Sequence, residues 1–234
     1  MKSSKHLFFC SDIDSNALSK EESHHATKVL RLKIGDQIKV LDGIGTIADA
    51  KITEQSKNSI AFEVVKKLKF RKSEVFLHIA IAPTKSNERI EFFLEKCTEI
   101  GISSITPIIT KNSERKKINE DRWRKIIISA AKQSQSAFFP VLNPLTNFKS
   151  FVKNQQSKLL LIAHCENSSS KNELRNEIKN EKEICILIGP EGDFTKEEIN
   201  FAVENKYKPV SLGNSRLRTE TAGIVACHTV NLLS

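Results

Sequence analysis

The sequence predicts an α/β protein with a small β-rich domain in front, and three observations carry that reading. Before residue 71 the apolar runs are short, rich in Val, Ile and Phe, and separated by turn signals. After it, compact apolar runs alternate with helical segments that begin at capping residues. Between the two lies the charged stretch Lys66 to Lys72. At 234 residues the chain exceeds a typical domain of ~100 to 150 residues. We therefore divide it into domains at 1–70 and 71–234.

In the first domain the expected strands are Gln37 to Asp42, Thr46 to Thr53 and Ser59 to Lys67, with turns at Asp42-Gly43 and Lys57-Asn58, as in a small β-barrel. One helix interrupts them. Ser19 followed by Glu22 has the spacing of a capping box, and the helix continues to Arg31 before Gly35. In the second domain the expected strands are Glu74 to Ala82, Ser104 to Thr110, Lys158 to Ala163, Glu183 to Ile188 and Pro209 to Leu212, each suited to burial in a mostly parallel sheet. Helices are expected over Glu88 to Ile100, ended by Gly101, over Asp121 to Ala137 after Asn119, over Lys196 to Glu204 after the Thr195/Glu198 capping box, and over Glu220 to Leu233. Such alternation implies a layered α/β domain. Ser168 to Lys171 reads as a polar loop.

Composition narrows the function classes. A hydrophobic fraction of 39% and a charged fraction of 28% are ordinary for a soluble globular protein, and no apolar run approaches the ~18 residues that would span a bilayer. Met1 to Ser11 is too weakly apolar for a secretory signal, so a cytoplasmic location without membrane attachment is expected. Lys and Arg outnumber Asp and Glu by 37 to 28, a net charge of +9. That excess suits a nucleic-acid partner as well as mere solubility, and charge does not choose between them. Cys10, Cys97, Cys165, Cys185 and Cys227 form no C-x-x-C pair, so neither a metal site nor a disulfide framework is indicated.

Ligands of open α/β sheets gather at the carboxyl ends of strands, which directs attention to three segments. These are Ala163-His164-Cys165, the turn from Gly189 to Phe194, and the stretch from Gly213 to Ala222. Gly189 and Gly192 permit close approach of backbone to a ligand and Pro190 stiffens the turn, although a plain αβ turn explains them too. In the third segment Thr219 is a natural N-cap and Glu220 complements a helix dipole. Arg218, a cation beside the positive end of a helix, instead suggests an anionic partner. Neither segment matches the dinucleotide fingerprint or the P-loop.

Taken together, I-G-P-E-G-D-F-T at 188–195 and S-L-G-x-x-x-L-R-T-E-T-A at 211–222 resemble the ribosomal RNA small-subunit methyltransferase E family, of the knotted SPOUT class. The resemblance covers the whole chain. H-x-x-K-V-L-R at 25–31 and Asp42-Gly43 are similar to the family's PUA-like front domain, and 88–101, 122–126 and 130–134 to its central helices. Two positions depart from the pattern: Asp193 stands where the family usually has Gly, and Asn214-Ser215 where it usually has Pro-Arg.

The resemblance implies a trefoil-knotted α/β methyltransferase domain behind a PUA-like β-barrel that binds RNA, acting as a homodimer. It implies S-adenosylmethionine as cofactor, no metal, and methylation of N3 of a uridine in 16S ribosomal RNA or the small ribosomal subunit. A non-catalytic RNA-binding protein is the alternative. The implied cofactor residues are Ala163, His164, Gly189, Pro190, Glu191, Gly192, Ser211, Leu212, Gly213, Leu217, Arg218, Thr219 and Ala222. Glu191 or Glu220 is the candidate to accept the imide proton or orient the base, and Arg218 to hold phosphate or stabilise the imide anion. His25, Lys28, Arg31 and Arg89 are the implied RNA contacts; a solvated helix face explains the first three as simply. The run Arg115-Lys116-Lys117 reads as an exposed loop, Trp123 as a core residue in preference to a base-stacking one, and His164 as part of a pocket wall.

Overall fold

A computed structural model describes residues 6–56, 59–166, 171–179 and 181–233. The turn expected at Lys57-Asn58 and residues 168–170 of the expected polar loop lie outside the described residues. The chain forms two compact units, Met1–Lys72 with Ala131–Phe139, and Ser73–Ala130 with Pro140–Ser234.

The first unit is built on a four-stranded sheet, β1 (Leu7–Phe9), β2 (Gln37–Leu41), β3 (Thr46–Gln55) and β4 (Ile60–Lys69), in that spatial order. β1 pairs parallel with β2, and the remaining ladders are antiparallel. Period-two alternation turns Ile38 and Val40, Ala48, Ala50 and Ile52, and Ile60 and Phe62 into one buried core around Phe8. Helix α1 (Lys20–His24) is shorter than expected, because the chain widens into a π turn over His25–Val29 and Arg31 adopts a left-handed φ of 56°. Only half of its capping box forms. The Ser19 hydroxyl accepts from the Glu22 N–H at 3.2 Å, but the Glu22 carboxylate takes Lys132 Nζ at 2.7 and 2.8 Å instead. The segment 131–139, expected within the second domain at 71–234, belongs with this unit because Ala137 is buried against Leu41 and Ile47, and the Phe139 ring lies 5.1 Å from the Phe9 ring.

The second unit contains β5 (Phe76–Ile81), α2 (Asn87–Ile100), β6 (Ser104–Ile109), most of α3 (Glu120–Ser134), β7 (Val141–Leu142), β8 (Thr146–Asn147) and α4 (Phe148–Asn154). These are followed by β9 (Leu159–Ala163), β10 (Asn172–Glu173), α5 (Leu174–Glu177), β11 (Glu183–Ile188), α6 (Lys196–Glu204), β12 (Lys208–Ser211) and α7 (Thr219–Leu233). The strands make one sheet of order β10-β12-β9-β11-β5-β6-β7, with β8 also on β6, and every ladder is parallel. β11 is apolar from Ile184 to Ile188, as a strand covered on both faces must be. Helix α2 packs on α7 across Gly223, where an added Cβ would lie 2.5 Å from the Phe93 ring. The two helices can therefore approach only while position 223 lacks a side chain.

His78 on β5 is buried within a polar chain. Gln155 Nε2 donates to Nδ1 at 2.9 Å, which leaves Nε2 to donate to the Thr106 hydroxyl at 2.7 Å, and Asn143 Nδ2 donates to the same hydroxyl at 2.9 Å. Burial lowers the His78 pKa from 6.5 to about 4, so between those values the unfolded chain binds a proton that the folded chain refuses. Stability is then lost as pH falls through this window, by about 1.5 kcal/mol between pH 6.5 and 5. Urea unfolding across that range should show this slope in the natural chain and a flatter one in His78→Gln. Equal slopes would contradict the assignment.

Candidate active site

Because β12, β9 and β11 are adjacent and parallel, the segments that leave their carboxyl ends converge on one edge of the sheet. They enclose a cavity of about 770 Å³, within the ~300 to 1,000 Å³ typical of small-molecule sites.

The first wall is Ala163-His164-Cys165, steadied by Lys171, whose Nζ donates to the carbonyls of His164 and Glu166 at 2.9 Å each. His164 is buried, and neither ring nitrogen has a partner among the described residues. Burial, reinforced by the Lys171 cation, holds its pKa below 6.5 and so favours the neutral ring, with one donor and one acceptor unspent. The second wall is the turn 189–193, closed by the Asp193 N–H bonding to the Pro190 carbonyl at 2.9 Å. Asp193 has a left-handed φ of 61°, a geometry that glycine adopts freely. Its carboxylate accepts from the Cys165 N–H at 2.7 Å and from the Phe194 N–H at 2.8 Å, so it joins the second wall to the first. The third wall is Ser211 to Thr219 with Ala222. Gly213, at φ 127°, turns the chain there, and the Ser211 hydroxyl donates to its carbonyl at 2.9 Å.

Of the implied cofactor residues, Ala163, His164, Gly189, Pro190, Glu191, Ser211, Leu212, Gly213, Leu217, Arg218, Thr219 and Ala222 all line this cavity. Gly192 does not. A Cβ at Gly192 would meet Asn112 Cβ at 3.3 Å, and Asn112 Nδ2 donates to the carbonyls of Gly192 and Asp193 at 3.1 and 3.0 Å. Its lack of a side chain serves the packing of the turn against Asn112. Thr219 is the first residue of α7 rather than its cap: the Ala222 N–H bonds to the Arg218 carbonyl at 2.7 Å, which puts Arg218 in the cap position.

The candidate catalytic residues separate. Arg218 is exposed on the cavity wall. Glu191 lines the cavity, and its Oε1 accepts from the Lys85 N–H at 3.0 Å. Glu220 is buried outside the lining, with Oε2 unpartnered among the described residues and Oε1 3.9 Å from Arg89 Nε. Arg89 is half-exposed on α2, while His25, Lys28 and Arg31 are exposed on the first unit. Arg115 is not the free loop charge that its run suggests, since it donates to the Thr84 carbonyl at 2.9 Å and also to that of Lys85. Trp123 is buried, with 2% exposure. Lys171, Asp193 and Arg216 also line the cavity and were not singled out as contacts; only the departure at Asp193 hinted at a role. No group of side chains suited to a metal occurs among the described residues.

Comparison with known proteins places this architecture. Residues 71–231 match the RNA methyltransferase domain family and residues 18–65 the RNA methyltransferase PUA domain. The ribosomal RNA small subunit methyltransferase E of Buchnera aphidicola subsp. Acyrthosiphon pisum is 34% identical, over 94% of this chain and 90% of that protein. The chain belongs to the ribosomal RNA small subunit methyltransferase E family. The Rickettsia conorii member is 30% identical over 92% of this chain and 88% of its own. Among solved structures, a probable rRNA-methyltransferase from Porphyromonas gingivalis superposes with a TM-score of 0.91 at 37% identity, covering 97% of this chain and 98% of that one. A putative methyltransferase from Legionella pneumophila, solved with the bound cofactor SAM, gives a TM-score of 0.83 at 31% identity, covering 92% and 90%. The α/β domain behind a small PUA-type domain is thus the fold class that the sequence predicts.

Proposed function

We propose that this family member transfers a methyl group from S-adenosylmethionine to N3 of a uridine in 16S ribosomal RNA. The observation that carries the reading is the strand-end cavity, whose walls fit that cofactor. The buried, unpartnered nitrogens of His164 offer one donor and one acceptor to a polar group, glycine backbone lines two walls, and charges of both signs suit a zwitterion. When bound, the cofactor supplies a methyl group on a sulfonium, open to in-line displacement. The protein's part is to align the nucleophile and to remove the imide proton of the uracil. Of the two candidate carboxylates, Glu191 lines the cavity and Glu220 does not, and we assign the proton to Glu191. Glu220, lying behind the start of α7 with Arg89, positions that helix. Arg218 stabilises the anion that develops on the base.

His25, Lys28 and Arg31 on the first unit, with the half-exposed Arg89, supply phosphate contacts. The reading includes a cytoplasmic homodimer. Val230 is spent on the interior, but Leu232 and Leu233 on α7 and Phe92 on α2 remain 69%, 54% and 50% exposed, apolar surface that suits a second copy.

Four measurements test this reading. Incubation of unmodified small subunits with the protein and S-adenosylmethionine, followed by mass spectrometry of nuclease fragments, should show one added methyl on a uracil N3. Glu191→Gln should slow the transfer by about 10²- to 10⁴-fold at saturating RNA. Lys28→Ala and Arg31→Ala should instead weaken RNA binding and each flatten its salt dependence by about one unit. RNA binding without any cofactor binding would favour a non-catalytic protein. In sedimentation the chain should run at twice 26.4 kDa, and a monomer at micromolar concentration would refute the dimer.

A further inference from the structure

Asp193 occupies a position with a left-handed φ of 61°, a conformation that glycine adopts freely and that only a few other residues, Asp among them, tolerate. Retaining a carboxylate there calls for a physical account. Its two oxygens accept the N–H groups of Cys165 and Phe194, so it is held in one orientation between the ends of β9 and β11. It also faces the cavity. Around that space stand three cationic side chains, Lys171, Arg216 and Arg218, and only two carboxylates, Glu191 and Asp193. With His164 held neutral, removal of Asp193 would leave three cations against one anion around a ligand that itself carries a sulfonium charge. The field of Asp193 is felt inside the cavity: after burial, it is the next cause that raises the Cys165 thiol pKa, and Arg216 opposes it.

We propose that Asp193 is a specificity-determining residue, which sets the preference of this cavity for cationic S-adenosylmethionine over S-adenosylhomocysteine, the product that lacks the sulfonium charge. The inference rests on the cofactor reading given under Proposed function. The two ligands share their adenosine, ammonium and carboxylate groups, so a difference in their affinities isolates the charge on sulfur. A fixed carboxylate within the same cavity favours the cation by about three- to tenfold in affinity, once solvent screening is allowed for. The consequence is earlier release of the spent cofactor.

The test is calorimetric titration of both ligands into the natural chain, Asp193→Asn and Asp193→Gly. Asn tolerates the left-handed backbone and can still accept one N–H bond, and Gly adopts that backbone freely, so both variants should fold. We expect each to lower the ratio of S-adenosylmethionine affinity to S-adenosylhomocysteine affinity by about three- to tenfold. A side chain that only joins the two walls would weaken both ligands alike, and an unchanged ratio in both folded variants would overturn the proposal. Failure of the natural chain to bind either ligand would overturn the cofactor reading itself, and this inference with it.

Discussion

The site depends on one constraint, the uniform direction of the strands in the second unit. Parallel pairing of β12, β9 and β11 puts their carboxyl ends side by side, so three segments far apart in sequence must leave the sheet at the same edge. Burial of β11 on both faces enforces the register, because each of Ile184 to Ile188 has an apolar environment to lose if the strand slips. Backbone that leaves such a sheet must satisfy its polar groups locally, and the walls do so with few side chains. Lys171 serves two carbonyls, Asp193 two N–H groups, and Asn112 two further carbonyls. His164 stands apart because its buried nitrogens remain unpaired among the described residues.

The same economy divides the charged groups by role. Glu198 and Thr195 are spent reciprocally on capping α6, and Glu198 also accepts the Lys111 N–H at 2.8 Å, so this carboxylate, though near the turn, belongs to the scaffold. Glu22 and Lys132 are spent on each other within the first unit. Arg115 is spent on the carbonyls at 84 and 85, which holds Lys85 where its N–H reaches Glu191. Glu191, Asp193, Arg216 and Arg218 are the charged groups that line the cavity from its second and third walls, and of these Asp193 also serves two backbone N–H groups.

Much of this was legible in the sequence, because strong local signals happened to agree with tertiary demands. The Thr195/Glu198 box and the apolar run Glu183 to Ile188 fall where the pattern puts them. Other signals were ambiguous or overridden. Ser19/Glu22 has the spacing of a box, yet a lysine 110 residues away offers Glu22 a charged partner that outcompetes a backbone N–H. Gly192 reads as ligand space, and the side chain it packs against, Asn112, is 80 residues away and invisible to local pattern. Ala137 reads as the last residue of a helix, and its burial against Leu41 and Ile47 is a long-range contact that periodicity does not encode. Helix α4 is not among the expected elements, although Phe148, Phe151 and Val152 show the i, i+3, i+4 spacing, because a seven-residue segment is too short for that period to stand out. Asp193 was visible only as a departure from a pattern, and its two hydrogen bonds required coordinates.

The central claim is that the three strand ends of the second unit form the cofactor site. Hydrogen exchange of the natural chain, with and without S-adenosylmethionine, tests it most directly, because backbone amides at a filled site are protected in proportion to ligand binding. The account predicts protection concentrated in residues 163–165, 189–194 and 211–222, with the strands of the first unit unchanged. Protection confined to other segments, or none at saturating cofactor, would contradict it.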